Sequence, residues 1–183
     1  MPPRHEDSAP VAALMEAFQR RRTLSLLRAV LAAAARAGKG AEVRAHLVER
    51  LEAEAESDPR LLYRLYLEDE QDAEAAAAAR RLAEPGPLIE VAEACARRFR
   101  MLALQLYFEA ADLLARQGNR HSYARAAAVL CRLRAVMQGE EARWVGLLDG
   151  YRERHRRRRA LLQELVRAGL DPDDIPPRAE MVP

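Results

Sequence analysis

Between Tyr151 and Ala160 the chain places Arg152, Arg154, Arg156, Arg157, Arg158 and Arg159 around His155. Guanidinium groups this densely packed bind phosphate oxygens, and such binding weakens steeply with salt. The run is the chain's leading candidate for nucleic-acid contact. Tyr151 is the one aromatic beside it, so no platform for stacked bases accompanies the charge. On a helix, successive side chains turn by about 100°, which spreads them around the axis. A solvated helix face, partly paired with acids, is the preferred reading. The triplet Arg20, Arg21 and Arg22 is read in the same way.

Other residues that could do chemistry stand apart from one another. The histidines are His5, His46, His121 and His155, none within four residues of another His or of a Cys. That spacing offers no two-ligand helix face, so no metal site is expected. His155 falls on a core-facing stripe and reads as a satisfied buried histidine. Cys95 and Cys131 are far apart, form no CxxC pair, and read as small packing residues. Acids cluster at Glu68, Asp69, Glu70 and Asp72, and again at Asp171, Asp173 and Asp174. Paired carboxylates do acid–base work only where a cleft separates their pKa values. These lie in a turn and a tail, and read as solvated surface. No nucleophile–base pair or glycine-rich phosphate loop occurs. The expectation is a chain with no catalytic residues and no cofactor.

The elements that carry these residues are helical. Half of the 183 residues are hydrophobic, mostly Ala and Leu, and aromatics make up 5%. Ala, Leu, Arg and Glu lose least on entering a helix. No alternating β-branched segment is present. Arg plus Lys total 30 against 28 acids, and Lys39 is the only lysine. A net charge of +2 exerts little whole-molecule pull on nucleic acid. The first residues hold no apolar core of a secretory signal. Ala29–Ala35, the longest apolar run in the first half, is too short to span a bilayer. A cytoplasmic protein with no membrane partner is the default.

Residues 1–9 are expected to form a disordered arm. Residues 10–84 form an amino-terminal helical half, 87–170 carboxyl-terminal helical hairpins, and 171–183 a flexible tail. A helix from Val11 to about Ala37 is predicted to break near Thr23 and to end at Gly38 and Gly40. Helices are predicted from about 41 to 56, over 61–67 and over 73–82, with Asp58 and Asp72 as caps. Glu84-Pro85-Gly86-Pro87 is the strongest break. Helices then span 87–98, 102–117 and a segment capped by Ser122. In that segment Tyr123, Ala127, Leu130, Leu133 and Met137 make one buried stripe. A final helix is predicted from 140 to 168, with Trp144, Leu148, Tyr151, His155, Leu162 and Leu165 on one face. Gly146 and Gly150 are read as a place for a bend.

From Leu106 to Leu133, Ala110, Ala111 and Ala126 alternate with Leu113, Leu114, Tyr123 and Leu130. This large-small-large order resembles a degenerate tetratricopeptide hairpin. The turn is longer than in that repeat, and no proline follows the second helix. Across Leu65–Leu165, LYLEDEQDAEAAAAARRL, ALQLYFEAADLLARQGNRHSYARAAAVLCRLRAVM and WVGLLDGYRERHRRRRALLQEL occur in order. This series resembles the helical carboxyl-terminal region of bacterial SWIM zinc-finger proteins, in the sequence Tyr107, Tyr123, Trp144, His155, Leu161. The Cys-x-Cys and Cys-x-His of that zinc finger are missing, so no zinc role is carried over. The resemblance implies the helical part alone.

The combined expectation is an all-α protein, built from antiparallel helical hairpins in a short tetratricopeptide-like stack. Its function is that of a non-enzymatic scaffold for an unknown protein partner, with a working face from Pro87 onward. The alternative is nucleic-acid association through Arg152, Arg154 and Arg156–Arg159.

Overall fold

The computed structural model describes residues 8–54 and 59–171, and every described element is α-helical. These residues fall into two compact units divided between Leu82 and Ala83.

In the first unit, α1 spans Ser8–Arg20 and α2 Leu24–Arg36. Helix α1 therefore begins inside the arm expected from sequence. The predicted interruption near Thr23 is present. Thr23 is extended, and its hydroxyl oxygen accepts from the Leu26 N–H at 3.3 Å. This cap satisfies one of the amide donors that a new helix leaves unpaired. Gly38 leaves α2 with φ +72, whereas Gly40 opens α3 (Gly40–Ala53). Helix α4 spans Arg60–Glu68 and α5 Asp72–Arg81. Asp72 is the first residue of α5, not its cap, and is 3% exposed. The Asp58 cap lies outside the described residues.

Helices α1 and α2, α2 and α3, and α4 and α5 pack as consecutive pairs. Leu27, Leu47, Leu51, Leu62 and Leu65 are buried between them. Ala75, Ala76, Ala78 and Ala79 are buried too, and their small side chains permit close approach of α5 to α4. The acidic turn is not simply solvated. Glu68 pairs with Arg28 of α2 at 2.7 Å, and Asp69 pairs with Arg44 of α3.

The second unit contains α6 (Pro85–Cys95), α7 (Arg100–Arg116), α8 (Arg120–Val136), α9 (Glu141–Arg154) and α10 (Arg159–Arg167). Glu84 is extended before its proline, and Pro85 takes the first helical position, where no N–H is needed. The Pro-Gly-Pro sequence thus starts α6 and is not left outside it. Helix α7 packs against both α6 and α8, and α10 packs against α8. Leu88, Val91, Ala92 and Cys95 face this core as predicted. So do all five residues of the α8 stripe. The cap of α8 is Asn119, not Ser122. The extended Asn119 accepts from the Ser122 N–H at 2.9 Å, while the Ser122 hydroxyl donates to Gln117 Oε1 at 2.6 Å. Gly118 makes this tight connection with φ +76, a conformation that costs an L-residue strain.

The predicted 140–168 helix is two helices. Residues 155–158 interrupt it, so α9 and α10 do not share one face. Leu161 and Leu165 are buried in α10, while Leu162 is half-exposed. Helix α9 itself continues without interruption through Gly146 and Gly150.

Candidate functional site

The interruption lies within the arginine run. His155 is 6% exposed, and its Nε2 is 2.9 Å from Asp112 Oδ1 on α7. A carboxylate only accepts, so Nε2 carries the proton of this bond. Tyr151 packs its ring against His155, with centroids 4.6 Å apart, and donates its hydroxyl to the Ala111 carbonyl at 3.0 Å. Burial holds the His155 pKa below the ordinary histidine value. The Asp112 bond opposes that shift, and Arg158 and Arg154 add to it. Burial also pushes the Tyr151 hydroxyl well above its usual range.

The arginines divide into two sets. Arg152 donates to the Leu170 carbonyl at 3.2 Å, and Arg158 to the Ala115 carbonyl at 2.6 Å. The latter oxygen belongs to the last turn of α7, where carbonyls lack intrahelical partners. Arg154 stands 5.3 Å over the Phe108 ring and 3.9 Å from Asp112. These three side chains hold the turn against the rest of the unit. Arg156 pairs with Glu153 at 2.7 Å. Arg157 and Arg159 are exposed and hold no acid or carbonyl among the described residues. In the first unit, Arg20 pairs with Glu16 and Arg22 with Glu54.

His46 and His121 are exposed on their helices, and His5 lies outside the described residues. Among the described residues, no three His, Cys, Asp or Glu side chains gather where an ion could be held. Cys95 is fully buried. Cys131 is half-buried, its Sγ 3.7 Å from the Ala168 carbonyl, and burial raises its thiol pKa. Raising the pKa removes thiolate and makes this sulfur a poor nucleophile. No described helix is long and apolar enough to cross a membrane.

The most apolar concave feature of the second unit was not singled out by its residues. A groove of about 500 Å³ runs between α7 and α9, lined by Met101, Leu104, Phe108, Gly146, Leu147 and Gly150. Its lining is mainly apolar, and it is open to solvent. Met101 is 51% exposed on it. The two glycines sit one helical turn apart on α9. A Cβ added at either would meet nothing within 4 Å. The glycines therefore leave space that side chains would fill. At the ends of the groove, two arginines of α9 reach across to α7. Arg143 approaches the Met101 sulfur at 3.7 Å, and Arg154 covers Phe108. The sequence signal was the glycine pair at helical spacing facing residues of an α7 stripe, which alone reads as a weak helix.

No family model, no curated protein and no solved structure matches this chain.

Proposed function

We propose that the chain is a non-enzymatic protein-interaction module, with the α7–α9 groove as its working surface. The observation that carries this reading is the open apolar groove, floored by two glycines whose missing side chains keep it empty. Apolar grooves between helices accept the apolar face of a partner helix, which anchors through side chains at i, i+3, i+4 and i+7. The resemblance of residues 65–165 to the helical part of SWIM zinc-finger proteins supports a non-catalytic role of this kind. Those residues run across the division at Leu82 and Ala83.

Photo-cross-linking in cells tests the surface. A photoreactive residue at Leu147, inside the groove, is expected to capture partner protein. The same residue at the exposed Arg125 of α8 is expected to capture none in common. Equal capture from both positions would refute the assignment. The nucleic-acid alternative rests on Arg156, Arg157 and Arg159, whose side chains face solvent. It predicts salt-sensitive binding of DNA or RNA that Arg157→Gln with Arg159→Gln removes.

A further inference from the structure

We infer that the groove takes an acidic amphipathic helix, about four turns long, with carboxylates near both of its ends. This inference rests on the groove being a protein-binding surface and adds the chemistry of what enters it.

The two guanidinium groups that close the groove set the charge and the length. Arg143 and Arg154 lie about three turns apart on α9, or about 16 Å along its axis. Their side chains are 52% and 56% exposed, so an incoming carboxylate can reach each head group. Both are held across the groove by contacts to α7, at Met101 Sδ and at the Phe108 ring. Being held in place reduces the side-chain entropy lost when a carboxylate binds. The acid contact of Arg143 is a surface pair, whereas that of Arg154 is a long one to a buried carboxylate. Arg143 lies 2.9 Å from Glu140, which also pairs with Arg100, and Arg154 is 3.9 Å from an Asp112 shared with His155 and Arg116. The exposed Arg143 pair exchanges for a similar one at little cost, and Arg154, 3.9 Å from Asp112, keeps its head group open to solvent. Between the arginines, Met101, Phe108 and Leu147 supply the apolar floor, and methionine adapts to differing side chains. Glu109 lines the α7 side next to Phe108, at the Arg154 end. The occupant's acid at that end should therefore face Arg154 on α9 and not the α7 edge. The pattern is an apolar face, acids at the ends, and no acid opposite Glu109.

Fluorescence anisotropy on the full chain tests this. The probe is a labelled helical peptide of about four turns, with leucines on one face and glutamates at both ends. A second peptide carries lysines in place of those glutamates. The glutamate peptide is expected to bind about tenfold more tightly, with the difference shrinking in high salt. Arg143→Gln with Arg154→Gln should bring the two peptides to equal affinity, and Gly150→Leu should abolish binding of both. A Cβ at that position meets nothing within 4 Å and the groove beyond it is open, so the variant is expected to fold. Equal affinity of both peptides for the wild-type chain, lost in Gly150→Leu, overturns the charge inference and leaves the groove reading standing. Binding that survives Gly150→Leu overturns both. No binding of either peptide overturns the inference, while capture from Leu147 would still uphold the groove. A wild-type dimer in light scattering that becomes monomeric in Gly150→Leu assigns the groove to a second copy and overturns the inference.

Discussion

His155 is neutral where it sits, because burial outweighs the pull of Asp112 and the nearby Arg154 and Arg158 disfavour a further positive charge. The unfolded chain takes up this proton near pH 6.5, the ordinary histidine value. The folded chain resists it to lower pH. The contribution of His155 is therefore complete above about pH 6.5 and is lost as pH falls through the lower folded value. Urea unfolding at pH 7.5 and 5.5 should show lower stability at the acid end, and His155→Gln should flatten that slope. An unchanged slope would mean that the histidine does not titrate with folding. Arg158 and Arg157 make a second contrast in the same turn. Arg158→Gln removes the bond to the Ala115 carbonyl and should cost about 1 kcal/mol. Arg157→Gln should leave unfolding unchanged, because its side chain points to solvent. Asn119→Ala removes the α8 cap and should also cost about 1 kcal/mol, read from the same unfolding curves.

At the scale of elements, what could be read from sequence was whatever depended on period. The stripes of α6 and α8 are buried residue by residue because a 3.6-residue repeat has one inward face. The break near Thr23 was legible because a β-branched hydroxyl residue is a cap former in a run of poor alternatives. The break at 155–158 was not. Arginine is a good helix former, so local preference runs straight through it. Partners 43 residues away interrupt the helix: Asp112 takes His155, and Ala115 takes Arg158. That break resets the register, which is why Leu161 is buried where Leu162 was expected. The Asn119 and Ser122 choice failed differently. Both can cap, and the extended backbone at Asn119 puts its carboxamide oxygen in reach of the Ser122 N–H. Helix α9 also makes a quantitative point. Gly146→Ala and Gly150→Ala each add a methyl into open space, so each should stabilise the chain by up to about 1 kcal/mol. Thermal unfolding reads this directly. A drop in melting temperature would show that those positions are already filled or strained.

For the whole molecule, all-helical architecture followed from composition. The division into two compact units falls between Leu82 and Ala83, beside the Glu84-Pro85 step. Ala83 there has φ +50, a left-handed conformation that disfavours a Cβ. Ala83→Gly should therefore be neutral or stabilising, by up to about 1 kcal/mol in chemical unfolding. The groove stayed illegible because it is made by absence. Two missing side chains on α9 become a surface only when α7 supplies the opposite wall, and no local pattern encodes that pairing. Natural helices gain stability when such glycines are replaced, so retaining both in α9 is a cost that an open groove would explain.

Gly150→Leu separates stability from binding in one variant. Partner capture from a photoreactive residue at Leu147 should be measured for the wild-type chain and for Gly150→Leu, each alongside its thermal unfolding. A variant that melts no lower than wild type and loses the captured partner is the result expected of a groove kept open for a guest. A variant that melts no lower and captures the same partner as strongly would contradict it.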